Sequence, residues 1–145
     1  MRVLIVEDNP ADVYIIKKFL KDTSKKEKSE KKLDMIVVDN GTDALRIFAP
    51  DNDVCPSHHV DLIILDLNLP GCSGQDILEV LKTYDSTIPV IVYTTSDNQD
   101  DIDKAYKASA NCYVVKPSDL GDIERILTIL SQFWTNVARM PSKES

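Results

Sequence analysis

Apolar and polar positions along this chain fall into blocks whose period switches repeatedly between that of a strand and that of a helix. Val3 to Val6 is a short uninterrupted apolar run closed by Glu7-Asp8-Asn9-Pro10. After it, Val13, Ile16, Phe19 and Leu20 recur at the spacing of one helix face, with Asn9 placed to cap that helix and Pro10 at its first position. Met35 to Val38 predicts a second strand, and Gly41 to Phe48 a short helix turning Ala44, Leu45 and Phe48 inward. Residues 50–59 carry Pro50, Pro56, Asn52 and two aspartates, the composition of a loop. A strand over Leu62 to Leu65 and a helix over Gln75 to Leu81 follow, the helix burying Ile77, Leu78 and Leu81. Ile88 to Tyr93 predicts a fourth strand, its early proline tolerable at a strand start. A helix over Asp97 to Ser109, a strand over Cys112 to Val115 and a helix from Ser118-Asp119 onward complete the series. The last helix turns Ile123, Ile126, Leu127, Leu130 and Trp134 inward. Such strand–helix repeats with short connections predict a parallel α/β sheet with helices on both faces.

Val60 to Pro70 is the most informative segment. Its aliphatic run reads as a strand buried on both faces, and it ends abruptly at Asp66 with turn residues close behind. Asp66 therefore stands at the carboxyl edge of the sheet, where open α/β sheets bind ligands. A buried unpaired charge costs several kcal/mol, so this carboxylate needs a partner or a metal. The same edge receives Glu7 and Asp8 from the first strand, Thr94-Thr95-Ser96 from the fourth and Lys116-Pro117 from the fifth. Three carboxylates converging there would repel one another and raise their pKa values. A hard divalent cation resolves this, and Mg²⁺ is the one that takes few carboxylates, keeps waters and shares a phosphate oxygen. Lys116 then serves as a point charge for that phosphate, and a threonine hydroxyl as a donor to it.

Composition narrows the setting. At 145 residues the chain can build one core without staples. No apolar run reaches transmembrane length and the N-terminus enters strand-like sequence directly, so the expectation is a cytoplasmic protein with no membrane partner. Three cysteines without CxxC spacing suit reduced thiols. Net charge is −7. The lysine-rich run 25–32 contributes +3 from five lysines and two glutamates, leaving −10 elsewhere. That balance argues against nucleic acid as a partner, and the run reads as a solvated loop or helix end. Cys55 with His58 and His59 invites a zinc reading, but adjacent histidines diverge and no fourth ligand is suitably spaced.

Taken together, Glu7-Asp8, Asp66 with Asn68 and Pro70, Thr94, and Lys116-Pro117 resemble the receiver domains of two-component response regulators. The likeness covers residues 1–134, leaving 135–145 as a short tail. It implies a doubly wound, flavodoxin-like sheet of strand order 2-1-3-4-5 with five flanking helices. It further implies that Asp66 accepts a phosphoryl group from a sensor histidine kinase. Glu7, Asp8, Asp66 and the Asn68 backbone carbonyl would hold Mg²⁺, while Thr94 and Lys116 contact the phosphoryl oxygens. Tyr113 matches the family's rotating aromatic, and the Lys116–Pro117 peptide is expected to be cis. Thr95 departs from the alanine common after the switch threonine, which bears on phosphoryl access. Asn111-Cys-Tyr-Val-Val-Lys116, the lysine-rich insert and Phe133-Trp134 are similar to stand-alone regulators paired with phytochrome-type histidine kinases. The Phe133-Trp134 pair lies late in the last helix and is a candidate interface, weighed evenly between self-association as a homodimer and burial in the core.

Two other functions compete. An aspartyl-nucleophile phosphatase of the haloacid dehalogenase type needs a general acid two residues after the nucleophile, and Asn68 cannot protonate a leaving group. A pseudo-receiver working without phosphorylation fits poorly with an intact Glu7, Asp8, Asp66 and Lys116. The expectation is a phosphoacceptor signalling protein, not an enzyme beyond its own Mg²⁺-dependent phosphorylation and dephosphorylation.

Overall fold

Strand side chains that alternate between two apolar surfaces demand a sheet covered on both faces, and the chain supplies the helices to cover it. The computed structural model describes residues 1–26, 33–48 and 60–141. Among them, β1 (Arg2–Val6), β2 (Asp34–Val38), β3 (Leu62–Leu65), β4 (Val90–Thr94) and β5 (Cys112–Val115) form a parallel sheet in the order β2-β1-β3-β4-β5. The register pairs Val6 with Val38 on one side and Leu65 on the other, Leu65 with Val92, and Val92 with Tyr113. Helices α1 (Pro10–Lys26), α2 (Gly41–Ile47), α3 (Gly74–Tyr84), α4 (Gln99–Lys107) and α5 (Leu120–Gln132) connect or follow the strands.

Period-two alternation divides the core. Val3, Ile5, Leu62, Ile64, Ile91 and Tyr93 face α1 and α5, where Ile16, Phe19, Leu20 and Leu127 complete one cluster. Leu4, Val6, Ile63, Leu65, Val90 and Val92 face the other way onto Ala44, Ile47, Phe48, Ile77, Leu78, Leu81 and Ala105. Burying each such aliphatic side chain is worth about 1.5–3 kcal/mol, so a one-residue slip in any strand would be heavily disfavoured. β1 lies between β2 and β3, so successive crossovers leave it in opposite directions and open a crevice at its carboxyl end.

Capping residues set the helix starts. Asn9 Oδ1 accepts from the Ala11 and Asp12 amides at the start of α1, as its sequence position predicts. Asn40, Ser73, Asn98 and Asp119 cap α2 to α5 in the same manner. This explains several shifted boundaries. α4 begins at Gln99 rather than Asp97 because Asn98 caps it, and its end precedes Ser109, which adopts φ 73°. β4 starts at Val90, one residue past Pro89, which has no N–H to give to a ladder.

One expectation is corrected. The Lys116–Pro117 peptide is trans, as is every described peptide bond. The Lys116 N–H continues the sheet by donating to the Thr94 carbonyl at 2.7 Å, and the intrinsically favoured trans isomer leads from there into the turn before α5. At the carboxyl end the backbone does not stop with α5. The helix continues as a π-helical turn, Phe133–Val137, and both Trp134 and Met140 pack against the α1/α5 core. Apolar contact at Met140 keeps the chain against the core beyond α5. Cys55, His58 and His59, and residues 27–32 of the lysine-rich run, lie outside the described residues. No described helix is long and apolar enough to cross a membrane.

Candidate functional site

The crevice at the carboxyl edge is built by residues that stand one position beyond their strands yet remain tied to the ladder. Glu7 N donates to Val38 O at 3.0 Å, Asp66 N to Val6 O at 3.0 Å, and Lys116 N to Thr94 O at 2.7 Å. Their backbones are thus fixed by the sheet while their side chains leave it. Glu7 is 2% exposed, Asp66 5% and Thr94 fully buried, whereas Asp8 is open to solvent. One carboxylate oxygen each from Glu7, Asp8 and Asp66 lie within 4.8 Å of one another, a spacing that suits a divalent cation.

Lys116 organises the buried part. Its ammonium donates to Glu7 Oε2 at 2.7 Å, to Asp66 Oδ2 at 2.9 Å and to Asp12 Oδ2 at 2.9 Å. It also sits 5.7 Å from the Tyr93 ring centroid, over an aromatic face. Glu7's second oxygen accepts the Asn9 amide at 3.1 Å, and Asp66 Oδ1 accepts the Asn68 amide at 3.0 Å. Two carboxylates this close cannot both stay charged without cost. Burial, opposed by Lys116 and the Asn9 amide and reinforced by Asp66, raises the Glu7 pKa from 4.5 to about 7. Asp66 moves the other way: burial is outweighed by its bonds from the Asn68 amide, Lys116, Glu7 and Thr94, which hold it below its ordinary value. Lys116 is pushed up, its burial outweighed by Glu7, Asp66 and Asp12. Burial likewise raises Tyr93, to about 12. The site thus pulls its two buried acids apart, Glu7 upward and Asp66 downward.

The threonines reach the site through Asn68. Asn68 Nδ2 donates to Thr94 Oγ1 at 3.3 Å and to Thr95 Oγ1 at 3.2 Å, binding the β3–α3 loop to the end of β4. Tyr113 is half-buried on β5. Its hydroxyl donates to the Ser96 carbonyl at 2.8 Å, and its amide donates to the Tyr106 hydroxyl at 3.1 Å. Ser96 in turn donates its own hydroxyl to Asp101 Oδ2 at 2.6 Å.

A family model for the response regulator receiver domain matches residues 3–128. The chain belongs to that family. Its five-stranded order 2-1-3-4-5 and flanking helices are those of the CheY-like, flavodoxin-like fold expected from the sequence. Over 142 residues this receiver is 30% identical to response regulator Rcp1 of Synechocystis, covering 97% of this chain and 92% of that protein. The crystal structure of the phosphorylated cyanobacterial phytochrome response regulator RcpA superposes with a TM-score of 0.87 at 32% identity, over 97% of this chain and 98% of that one. The Mn²⁺-bound form of Rcp1 also gives 0.87, at 31% identity over 97% and 99%.

Most of the residues expected from the sequence meet in one place: Glu7, Asp8, Asp66 and Lys116 at the crevice, with Asn68, Thr94 and Thr95 beside them. Phe133 and Trp134 do not join them. They stack edge-to-face with centroids 5.2 Å apart at the far end of α5, Trp134 half-buried on the core and Phe133 46% exposed. Asp66 does accept a loop amide, the bland role for a strand-end acid, but it does so while bonded to Lys116. Asp12 joins the site unforeseen, through its bond to Lys116. An acid in the first turn of a helix is ordinary, and only its place one turn after Glu7-Asp8, on a helix leaving the same edge, could have drawn attention to it.

Proposed function

We propose that this receiver is a single-domain response regulator in which Asp66 accepts a phosphoryl group from the phosphohistidine of a sensor histidine kinase. The observation that carries the reading is the division of labour at the crevice: a buried Asp66 held as an anion, bonded to Lys116, beside a three-carboxylate cluster. Glu7, Asp8, Asp66 and the Asn68 backbone carbonyl would hold Mg²⁺, whose positive charge offsets that of the incoming phosphoryl group. The Mn²⁺-bound form of Rcp1 supports a divalent ion here.

The transfer balances simply. A lone pair on an Asp66 carboxylate oxygen forms the new O–P bond as the N–P bond of phosphohistidine breaks. That electron pair stays on the departing imidazole, which takes up a proton. Lys116 and the Thr94 hydroxyl donate to the phosphoryl oxygens; Thr94 only accepts from Asn68, so its own proton is available for this. The product brings about −1.5 to −2 charge and three acceptor oxygens into the crevice. New charge-assisted bonds are each worth about 1.5–3 kcal/mol, and moving an equilibrium from 1:99 to 99:1 takes about 5.5 kcal/mol. Two such bonds reach the scale of a population switch. Tyr113, held by the Ser96 carbonyl next to the threonines, would carry the change to the α4–β5 face.

Catalysis extends only to the chain's own phosphorylation and hydrolysis. Asn68 occupies the place where an aspartyl phosphatase keeps its acid, and its amide is engaged by two threonine hydroxyls. The likeness to RcpA, a cyanobacterial phytochrome response regulator, favours a phytochrome-type kinase as donor. The signal then passes by protein–protein binding, a homodimer through the exposed Phe133 among the candidates, within the cytoplasm. Intact-mass analysis after incubation with Mg²⁺ and acetyl phosphate tests the core claim. One phosphoryl group should be added to the wild type and none to Asp66→Asn. An unlabelled wild type across several donors would sink it.

A further inference from the structure

Asp12 has no place in the acceptor set, yet it is the third carboxylate on Lys116. An ammonium has three N–H donors. Here all of them are matched, by Glu7, Asp66 and Asp12, and the Lys116 side chain is 7% exposed. Asp12 is the third residue of α1, where an acid commonly folds back onto the capping residue's amide. It does not do so. The Asn9 amide is taken by Glu7 Oε1, and Asp12 reaches across to Lys116 instead.

The three partners differ in what phosphorylation does to them. Glu7 belongs to the cluster spaced for a cation, so a bound ion draws its charge away from Lys116. Asp66 loses its negative charge when its oxygen is esterified. Asp12 is outside that cluster and is not acylated. It alone of the three keeps both its charge and its anchor, the capped first turn of α1, throughout the cycle. A buried ammonium left with only one acceptor would be under-satisfied and free to turn toward water.

We propose that Asp12 is a positioning residue that keeps the Lys116 ammonium aimed at the phosphoryl oxygens when the other two carboxylates are withdrawn. The proposal rests on the acceptor reading above, and the same experiment separates the two. Beryllofluoride, a tetrahedral anion of phosphoryl shape, is titrated with Mg²⁺ into wild type, Asp12→Ala and Asp12→Asn by ¹⁹F NMR, with Mg²⁺ affinity measured alone by calorimetry. Asn keeps an acceptor oxygen at this position and removes only the charge; Ala removes both. Asp12→Ala should bind beryllofluoride about tenfold more weakly, the effect of roughly one charge-assisted hydrogen bond at the weak end of its range. Asp12→Asn should recover most of that loss, and Mg²⁺ affinity should not weaken in either variant. Equal or tighter beryllofluoride binding by Asp12→Ala overturns the positioning role. So does a parallel loss of Mg²⁺ affinity in the two variants, which would make Asp12 part of the metal site. No beryllofluoride binding by the wild type overturns the acceptor reading itself.

Discussion

Lys116 Nζ stands 2.9 Å from Asp66 Oδ2, and both side chains are less than a tenth exposed. Second to the Asn68 amide, the contact holds the acceptor's pKa below its ordinary value against the effect of burial, and it gives the ammonium an anion when no phosphoryl group is present. Removing one member of a buried pair typically costs about 3–5 kcal/mol, because the survivor keeps an uncompensated charge. Lys116→Met should therefore lower metal-free stability by an amount on that scale in urea titrations at neutral pH. Added Mg²⁺ should stabilise Lys116→Met more than it stabilises the wild type, since the ion substitutes for the lost positive charge. Equal Mg²⁺ gains in the two proteins would show that ammonium and cation act on separate groups.

Glu7 and Asp66 make opposite contributions to stability as pH changes. The Glu7 pKa is raised from 4.5 to about 7, first through burial, so its contribution is complete below about 4.5 and is lost as pH climbs through about 7. Within that window the native state holds a proton the unfolded chain has released, and metal-free stability falls with rising pH by at most about 1.4 kcal/mol per unit. Asp66 is depressed below 3.8, so its contribution is present above that value and fails only as pH drops through its folded pKa. Denaturation midpoints across roughly pH 4 to 8, which brackets the Glu7 window from 4.5 to about 7, should show the neutral-side decline in wild type. Glu7→Gln should abolish it. A decline that persists in Glu7→Gln would assign it to some other group.

Gly74 fixes the approach of α3 to the acceptor loop. A Cβ built there meets the Leu67 backbone and lies 2.9 Å from the Asp66 carbonyl oxygen. Gly74 N also donates to Leu67 O at 3.1 Å. Backbone atoms cannot move aside as a side-chain tip can, so Gly74→Ala must push the helix from the loop that carries Asp66. Overpacking of this kind costs about 1–3 kcal/mol. Gly74→Ala should lose that much stability and also slow phosphorylation by acetyl phosphate, because Asp66 moves with the loop. Exposed Gly71, whose φ is +87° with no neighbour within 4 Å of an added Cβ, is the useful comparison. Gly71→Ala strains only its own backbone and should spare the rate. Matching rate losses in both would deny Gly74 a special part in placing the acceptor.

The strands were legible because burial on both faces writes itself as uninterrupted apolar runs, as in Leu62 to Leu65. The acidic crevice was legible because those runs stop at Glu7, Asp66, Thr94 and Lys116, and parallel topology puts such ends on one edge. Asp12 was not, since its choice between the Asn9 amide and Lys116 depends on where β5 delivers an ammonium. The trans Lys116–Pro117 bond was missed for a different reason: trans is the intrinsic preference of the dipeptide, and the cis expectation came from the family resemblance alone. Likewise, nothing in the 133–140 sequence announces that Met140 finds a place on the core.

Tyr113 is held at both ends of its residue, and the two bonds can be separated by mutation. β5 is an edge strand, and the Tyr113 amide donates not to a strand but to the Tyr106 hydroxyl on α4. Its own hydroxyl ties it to the Ser96 carbonyl just past the threonines. Tyr106→Phe removes the first bond alone. Because Tyr106 is half exposed, water can replace its hydroxyl, and global stability should fall by no more than about 1 kcal/mol. Amide hydrogen exchange at Tyr113 should nevertheless quicken, as local opening of the β5 edge no longer requires breaking a contact with α4. Tyr113→Phe leaves its amide bond to Tyr106 in place and should leave that exchange rate close to wild type. If both variants quicken it equally, α4 and the Ser96 loop hold β5 as a single unit, and a phosphoryl-driven movement at the threonines would reach α4 through β5 without needing the Tyr113 hydroxyl.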